Sequence, residues 1–248
     1  MERLKVSLFQ LLTLAGLLAL WELSVRAGWA DPLFVPAPSA VALALARIFT
    51  EALPRLGDTF SKTLVAYVVS VVLGVSVGLV VGSARHLHDV LNPYLVVLYG
   101  IPKILVLPWV ILIFGLGVTP ALIYATLHGF FPVVLLVMGG VRDVDKTLVT
   151  VARSMGASPG QLYRKVILPA VLPSVVSGMK IAIVFCLLGV LIVEMFAGIQ
   201  GMGFLLGSFA NQFAAAKLFA ATLLLSVLSI AIVLGLEGLG NHLGRWRA

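Results

Sequence analysis

Few residues in this chain have the types and spacing that chemistry needs. Glu194 and His128 are ionisable side chains inside long apolar runs, where such residues are functional candidates because a buried charge is costly. The structural alternatives are a hydrogen bond between helices for Glu194 and one to a backbone carbonyl for His128. His86 and His88 are two positions apart in a predicted loop, and no H-E-x-x-H pattern occurs. We therefore expect neither a metal site nor a catalytic site in this chain.

A compact basic segment, Val151–Val171, lies between two strongly apolar runs. It reads VARSMGASPGQLYRKVILPAV and concentrates Lys, Arg, Ser, Gln and Gly. Pro159 follows Ser158, and proline is favoured at the first position of a helix because its missing N–H costs nothing there. We predict a short amphipathic helix over residues 161–167, ended by the Leu-Pro pair, with Gly156 allowing a turn or the close approach of another backbone. Anchoring to acidic lipid head groups is the alternative role.

The composition places the chain in the membrane class. It has 248 residues, of which 61% are hydrophobic and 11% charged, and its mean hydropathy is +1.14. A soluble domain is about half apolar and about a quarter charged. The lone Cys186 excludes an intramolecular disulfide. The net charge of +7 comes from Lys and Arg scattered between apolar runs, which fits membrane topology better than nucleic-acid binding.

Several apolar runs are long enough to cross the hydrocarbon core, which takes about 20 residues. They are Val6–Val25, Thr59–Gly82, Leu91–Leu116, Thr119–Val141, Val175–Gly198 and Leu218–Leu239. The first run follows basic residues, as in a signal peptide, but its length and the interrupting Glu22 favour a retained helix. We predict an all-α polytopic membrane protein with about six transmembrane helices.

The distribution of Lys and Arg predicts the orientation, because cytoplasmic loops are enriched in them. With the N-terminus inside, the cytoplasmic side holds Arg3, Lys5, Arg85, Arg142, Lys146, Arg153, Arg164, Lys165, Arg245 and Arg247, and the other side holds Arg26, Arg47, Arg55 and Lys217. This excess puts both termini and the basic segment in the cytoplasm. Lys62, Lys103 and Lys180 lie near the ends of their spans, and we expect them to extend toward the interface.

The chain is predicted to be one membrane domain. Residues 1–28 form the N-terminal transmembrane helix, and residues 29–58 form an external connection in which Ser39 is the expected N-cap of a short amphipathic helix. The apolar face of that helix lies at the outer interface or packs against the bundle. Residues 59–240 form the core domain, which contains a cytoplasmic segment at residues 142–172, and residues 241–248 form a cytoplasmic tail.

Prolines punctuate the third and fourth spans and mark a candidate pathway. Pro102, Pro108, Pro120 and Pro132 each free a backbone carbonyl, which a membrane helix tolerates where a neighbouring helix or a cavity satisfies it. The external stretch Gly198–Phe213 is rich in glycine and partly apolar. By itself, this stretch is consistent with a re-entrant turn at the interface.

Separated motifs resemble, in order, permease subunits of ATP-binding-cassette importers. The basic segment is similar to the cytoplasmic coupling motif of that family, with the small Ala152, Gly156 four positions later, and a close at Leu168 and Pro169. The resemblance covers roughly Thr59 to the C-terminus.

Other motifs look like one branch of that family. They are IPKILVLPWVILIFGLG (Ile101–Gly117), GFFPVVLL (Gly129–Leu136), GVRDVD (Gly140–Asp145) and VEMFAGIQGMGFLL (Val193–Leu206). The branch they resemble imports nitrate, sulfonates, taurine, bicarbonate or thiamine-precursor compounds. The chain departs from the family's pattern at Val151, where Glu or Ala is usual, and at Val118, where an acidic residue often follows the FGLG turn.

The resemblance implies the type I importer permease fold and a role in transport. The chain would form the translocation pathway for a small polar or anionic solute, delivered by a periplasmic or extracellular solute-binding protein. Because the sequence has no G-x-x-x-x-G-K-[ST] phosphate loop, ATP and Mg are expected on two copies of a partner ATPase, and this chain is expected to hold no cofactor. We expect a homodimer of permeases in the bacterial cytoplasmic (inner) membrane, spanning it several times and binding no nucleic acid. A heterodimer with another permease is the alternative.

Two groups of site residues follow from the motifs and the resemblance. The ATPase-coupling group is Ala152, Arg153, Gly156, Ala157, Ser158, Gln161, Arg164, Leu168 and Pro169. The group expected to line the translocation pathway or gate is Pro102, Pro108, His128, Glu194, Met195 and Asn211. The ATPase is expected to push on the helix around residues 157–167, so that ATP-driven closure of the ATPases rocks the attached spans.

Two other classes of function stay open from the sequence. A self-contained secondary transporter or channel would work without an ATPase, but carriers usually contain paired halves with matching broken helices, and none is evident. An intramembrane enzyme would need a nucleophile with its base, or a set of metal ligands, in one place. Co-purification with a soluble ATPase separates a permease from both classes.

Overall fold

The fold is described from a computed structural model, in which the described residues are 2–243 and the described side chains are those of residues 5–235. This part of the chain is helical and contains no strand, as the sequence predicted. Arg245, Arg247 and the end of the predicted tail lie outside the described residues, and so does the side chain of Arg3.

The helices follow one another with short connections. They are α1 (Glu2–Arg26), α2 (Pro38–Ser83), α3 (Arg85–Gly100), α4 (Leu107–Phe114), α5 (Val118–Arg142), α6 (Lys146–Ser154), α7 (Pro159–Leu162), α8 (Leu168–Ala197), α9 (Met202–Asn211) and α10 (Ala215–Leu243). A 3₁₀ turn, Lys103–Val106, precedes α4, and a π-helical turn, Tyr163–Ile167, joins α7 to α8. Within the described residues, α1, α2, α5, α10 and the continuous run Pro159–Ala197 are each long and apolar enough to cross a membrane.

The third predicted span, Leu91–Leu116, is broken rather than continuous. The axes of α3 and the Lys103–Phe114 run meet at 88°. The break falls at Ile101, whose backbone is extended with φ −64° and ψ 127°. The ring of Pro102 disfavours a helical conformation at the preceding residue, so the helix ends there. The proline that marked a candidate pathway therefore turns the span through nearly a right angle.

The predicted short external helix is wrong, because α2 is a single helix of 46 residues. At 1.5 Å per residue it is about 69 Å long, so it extends well beyond a hydrocarbon core of about 30 Å. Pro54 lies inside the helix without ending it. The apolar face of the first half packs on the bundle, where Val41, Ala44 and Ile48 are buried against α8, α9 and α10.

The N-terminus of α2 is capped by α1 and not by Ser39, which contradicts the predicted N-cap. Ala37 occupies the N-cap position without a side-chain hydrogen bond. Instead, the carboxylate of Glu22 on α1 accepts the backbone N–H of Ser39 (3.0 Å) and its hydroxyl (2.7 Å). A carboxylate at a helix N-terminus satisfies free N–H groups and is stabilised by the helix dipole. Glu22 thus ties α1, most of whose residues are exposed, to α2.

A row of glycines lets α2 and α5 approach closely. A Cβ placed on Gly78 would lie 2.8 Å from the Cβ of Val137. Gly74 and Gly82, one turn to either side, meet Val133 and Val141 in the same way. Small residues four apart are a recurrent device for packing helices in membranes, and this spacing was a signal that the sequence offered. Because contacts advance together along both helices, α2 and α5 run in the same direction.

The helix α8 packs on α5 in the opposite direction. A Cβ on Gly140, near the end of α5, would meet Ser174 near the start of α8, whereas Gly189, late in α8, lies against Ala125. Since α2 and α5 run the same way, the chain crosses once between them, and the bent pair α3 and α4 supplies that crossing. Counting the pair as one span gives up to 6 spans in the described residues. This number agrees with the predicted six spans, although the third span is broken at Ile101.

Candidate functional site

The connection between α5 and α8 contains a short helix, α6, that begins with a side-chain cap. The carboxylate of Asp145 accepts the backbone N–H of Thr147 at 2.7 Å. That hydrogen bond to the ionised form lowers the pKa of Asp145 from its usual value. The predicted docking helix lay further along, at residues 157–167, so the longer helix of this connection was not predicted.

Gly156 ends α6 in a left-handed turn, as the sequence predicted. Its φ is +79°, and its N–H donates to the carbonyl of Arg153 at 2.9 Å. The next N–H, of Ala157, donates to the carbonyl of Ala152 at 3.0 Å. These two bonds form a Schellman motif, which closes a helix with a residue of positive φ, usually glycine. No other part of the described chain lies within 4 Å of a Cβ placed on Gly156, so this side of the turn is open.

Ser158 and Gln161 form a capping box at the start of α7. The backbone N–H of Ser158 donates to the Gln161 side chain at 2.9 Å, and the backbone N–H of Gln161 donates to the Ser158 hydroxyl at 3.4 Å. Pro159 is in the first turn, as predicted. Residues 156–160 also have the Gly-x-Ser-x-Gly spacing of hydrolase nucleophile elbows, but that motif needs a preceding strand. Here a helix precedes it and Ser158 is a cap, so the spacing has a structural explanation.

The Leu-Pro pair does not end a helix, and this part of the prediction is wrong. The π-helical turn carries the backbone directly from α7 into α8, and Leu168 and Pro169 form the first turn of α8. Proline is accepted there because the first N–H groups of a helix have no partner within it. The predicted amphipathic turn at residues 161–167 is therefore the start of a long span and not a separate helix.

The connection exposes an apolar stripe on α6. Leu148, Val151 and Met155 are 53%, 51% and 82% exposed, at spacings of three and four residues that place them on one helix face. Ala152 and Ala157 beside them are half-buried. The predicted coupling residues Arg153 and Arg164 are exposed, and neither makes a salt bridge within the described residues.

Two adjoining cavities lie where α3 ends. The smaller has a volume of about 180 Å³ and the more open one about 380 Å³. Ile101, Lys103 and His128 line both cavities, and Pro102 lines the larger. The structure thus brings together two of the predicted pathway residues, Pro102 and His128, at the broken span. Lys103 adds a charge that the sequence assigned to the interface.

The side chains of His128 and Lys103 are both held at the cavity wall. His128 is 9% exposed, and its Nδ1 lies 3.4 Å from the carbonyl oxygen of Tyr124, so this nitrogen donates. The Nζ of Lys103 donates to the carbonyl of Tyr99 at 3.2 Å and lies over the rings of Tyr99 (4.7 Å) and Phe131 (5.5 Å). His128 therefore has the backbone-carbonyl partner of the structural alternative and also lies at a cavity, so the two roles considered for it are compatible.

Glu194 lies in a second polar centre and is only 1% exposed. Its carboxylate accepts the hydroxyl of Thr59 at 2.7 Å, the ammonium of Lys62 at 3.0 Å and the backbone N–H of Gly203 at 2.9 Å. These partners come from α2 and α9, so Glu194 joins three helices. The geometry matches the structural alternative that the sequence left open, in which Glu194 bonds between helices.

Lys62 does not extend to an interface, so that prediction is wrong. Its side chain is 6% exposed, and its ammonium lies 2.6 Å from Asp58 as well as 3.0 Å from Glu194. Opposite charges four residues apart on a helix are neighbours, so the Asp58 and Lys62 pair was visible in the sequence. The link to Glu194, 132 positions away, was not.

The same polar centre fixes the glycine-rich external turn. The hydroxyl of Thr59 accepts the backbone N–H of Met202 at 2.8 Å, and Gln200 donates to Asp58 at 3.3 Å. Gly201 has a φ of +103°, and any Cβ there would overlap the Glu194 carboxylate. We call residues Asp58, Thr59, Lys62, Glu194 and the turn Gly198–Gly203 the outer clamp.

The remaining predicted pathway residues lie apart from both centres. Pro108 is exposed in the first turn of α4, and Met195 is 45% exposed on α8. Asn211 is the last residue of α9 and is exposed. The structure therefore does not gather these three residues with His128 or Glu194, and their role in a pathway stays a prediction.

Comparison with known proteins places the chain among transport permeases. It is 28% identical over 244 residues to the taurine transport system permease protein TauC of Escherichia coli, covering 94% of this chain and 88% of that protein. It is 27% identical over 240 residues to the putative aliphatic sulfonates transport permease protein SsuC of Bacillus subtilis (96% and 87% covered). It is 26% identical over 233 residues to the formylaminopyrimidine transport permease protein ThiX of Halalkalibacterium halodurans (93% and 92% covered).

Solved structures show the same fold. A chain of the MetNI methionine ABC transporter, in an inward-facing conformation, matches with a TM-score of 0.69 and 20% identity, covering 79% of this chain and 97% of that chain. A chain of an amino acid ABC transporter crystallised with histidines matches with a TM-score of 0.63 and 18% identity, covering 82% and 97%. The predicted type I importer permease fold is confirmed.

A family profile covers most of the chain, including the connection between α5 and α8, both cavities and Glu194. It extends over residues 70–247, and the resemblance drawn from the separate motifs is confirmed by it. The chain belongs to the family of binding-protein-dependent transport system inner membrane components.

Proposed function

We propose that two copies of this permease, two copies of a cytoplasmic ATPase and an external solute-binding protein form an importer in the bacterial cytoplasmic membrane. The observation that carries the proposal is the exposed apolar stripe on α6, which ends in the open turn at Gly156. The partner ATPase would hold the ATP and Mg, and no cofactor is expected on this chain. The family match supports this assignment.

The stripe fits a protein partner better than a lipid surface. Leu148, Val151 and Met155 lie in the connection between two spans, outside the long apolar helices that lipid surrounds. An apolar patch rimmed by polar residues marks a protein or membrane contact. The open, side-chain-free turn at Gly156 suits a closely fitting surface, whereas anchoring to acidic lipids would depend on Arg153 and Arg164.

Motion of the ATPases would reach the spans through rigid connections. The capped helix α6 follows α5 after three residues, and the turn of α7 continues into α8 without a break. Displacing α6 therefore pulls on the ends of two packed spans at once, which suits a rigid-body rocking transition. The solute would be of the class that the relatives' names give: taurine, an aliphatic sulfonate or a thiamine precursor such as formylaminopyrimidine.

The test is co-purification of the ATPase with stripe variants of the tagged permease. Leu148→Asp should lower ATPase affinity by about tenfold or more, since burying a leucine side chain contributes about 1.5–3 kcal/mol. Thr150→Asp is the matched control, because this exposed residue lies on the other face of α6. Equal retention of the ATPase by both variants, at equal permease yield, would contradict docking through the stripe.

A further inference from the structure

The cavities at the broken span contain one formal charge. Their walls are Leu98, Tyr99, Gly100, Ile101, Pro102, Lys103, Val106, Tyr124, Leu127, His128, Phe131 and Phe185. Among these residues only Lys103 carries a full charge at neutral pH. None of the salt bridges in residues 5–235 includes Lys103. Its ammonium has a single carbonyl acceptor and two aromatic faces as partners.

An ammonium without a carboxylate is unusual at such a position. Ionisable residues in membrane spans are costly and normally pair with one another or line a polar path. In the outer clamp, by contrast, the buried Lys62 meets two carboxylates. The contrast indicates that the missing counter-charge at Lys103 is supplied from outside the chain.

Two further residues with polar groups line the same space. Tyr124 is 1% exposed, lines the smaller cavity, and its hydroxyl has no hydrogen-bond partner within the described chain. Buried hydroxyls are nearly always paired, so an unpaired one on a residue that lines a cavity points to an absent partner. His128 uses Nδ1 on the Tyr124 carbonyl, which leaves Nε2 without a partner in the described residues. Lys103 and Tyr124 therefore bring donors to this region, and the unprotonated Nε2 of His128 adds an acceptor.

Most of the rest of the wall is apolar. Leu98, Ile101, Leu127 and Phe131 line the smaller cavity, and Phe185 lines the larger. A wholly polar ion would gain nothing from these walls. A short hydrocarbon body would be removed from water there, while its acid group met the ammonium and the hydroxyl.

We infer that the cavities beside Lys103 bind the transported solute, and that Lys103 makes the site selective for a small organic acid with one anionic group on a short apolar body. Sulfonates and carboxylates share this chemistry. The inference rests on the proposed transport function and adds a class of solute and a binding residue to it. A neutral solute would leave the ammonium of Lys103 without its counter-charge.

The experiment measures binding to the permease–ATPase complex in lipid nanodiscs. The probes are ethanesulfonate, propionate and the neutral ethanesulfonamide, with Kd values obtained by ligand-observed NMR. In the wild-type complex both anions should bind about tenfold more tightly than the amide, which corresponds to about 1.4 kcal/mol. Lys103→Met should remove that preference, and Lys103→Arg should keep most of it because the charge and the donors remain.

Lys180→Met is the matched control, since this lysine lies in α8 and lines neither cavity. It should leave the preference for anions unchanged. The inference is overturned if the anions and the amide bind equally, if no probe binds, or if Lys103→Met and Lys180→Met behave alike. A Lys103→Met complex that still prefers anions would assign the lysine to packing against Tyr99 and Phe131.

Failure of this inference is distinguishable from failure of the proposed function. The same preparations report whether the ATPase co-purifies and whether the liganded solute-binding protein stimulates ATP hydrolysis. An intact, stimulated complex without a preference for anions rejects the role of Lys103 alone. Absence of the ATPase rejects the importer assembly, whatever the probes do.

Discussion

Glu194 is a single side chain on which several segments depend. Its carboxylate holds Thr59, Lys62 and Gly203, and its 1% exposure removes water as an alternative partner. Removing one member of a buried ion pair typically costs about 3–5 kcal/mol because the other charge stays buried. Asp58 also contacts Lys62, which makes the lower end of that range the expectation here.

We therefore predict that Glu194→Gln lowers the thermal stability of the complex while uptake per assembled complex stays near wild type. The neutral amide no longer balances the buried ammonium of Lys62. Thermal unfolding and uptake into reconstituted vesicles, normalised to complex, provide the two measurements. Lower uptake at unchanged stability would instead support the predicted role of Glu194 in the pathway or gate.

A second prediction concerns the ion pair between Glu194 and Lys62. Combining Glu194→Gln with Lys62→Met should recover part of the stability that either change loses, because neither a buried Glu194 carboxylate nor a buried Lys62 ammonium then lacks its partner. Asp58 loses Lys62 in the double variant, but its side chain is partly exposed to water. Lys5→Met, at an exposed position in α1, is the control and should have little effect. Additive losses in the double variant would show that the two side chains contribute independently.

At the scale of an element, substitutions in the turn that ends α6 can test contact with the ATPase without unfolding the turn. Gly156 needs a positive φ, and nothing in the described chain lies near its missing Cβ. Asn and Asp tolerate positive φ better than other non-glycine residues. We predict that Gly156→Asp and Gly156→Asn leave the permease folded but weaken ATPase binding strongly, because any side chain obstructs a close fit.

Arg164→Ala should weaken ATPase binding less, since a partly exposed ion pair is typically worth about 0–1 kcal/mol. Co-purification of the ATPase with each variant, at matched permease yield, gives the comparison. Full ATPase retention by Gly156→Asp would contradict the coupling role predicted for this turn. A larger loss from Arg164→Ala than from Gly156→Asp would support lipid anchoring.

The contact between α2 and α5 is also an element-scale feature. We predict that Gly78→Ala destabilises the permease by about 1–3 kcal/mol, because the new Cβ would lie 2.8 Å from Val137 and 2.9 Å from the carbonyl of Val134. Gly57→Ala on the same helix is the control, since nothing lies within 4 Å of its Cβ position. Equal thermal midpoints for the two variants would show that the helices can separate without cost.

For the whole molecule, we predict a homodimer in the working complex. One chain supplies one α6, so a single copy can engage one ATPase, and two-fold symmetry would place a copy over each. None of the α3 residues is buried within the chain, and the apolar side chains of Val90, Tyr94 and Val97 are each at least 60% exposed. This helix therefore has an apolar surface available for a partner. Native mass spectrometry should find two permeases per ATPase pair; one copy would rule the homodimer out.

The sequence determined the class of the protein through quantities that do not depend on folding. Composition and the length of apolar runs fix how many segments can enter lipid, and the placement of Lys and Arg biases which ends stay inside. Local signals also held: Pro159 opened a helix and Gly156 made a turn, because both effects act within one or two residues.

Tertiary structure decided what depends on distant partners. Glu22 replaced Ser39 as the cap of α2, and Lys62 turned inward because Glu194, from another span, was there to neutralise it. Likewise, the break at Pro102 became a cavity only because Tyr124 and His128 on α5 face it. Hydrophobicity along the chain records which segments leave water, but a buried charge is stabilised by the group it meets, and only the packing of the helices selects that group.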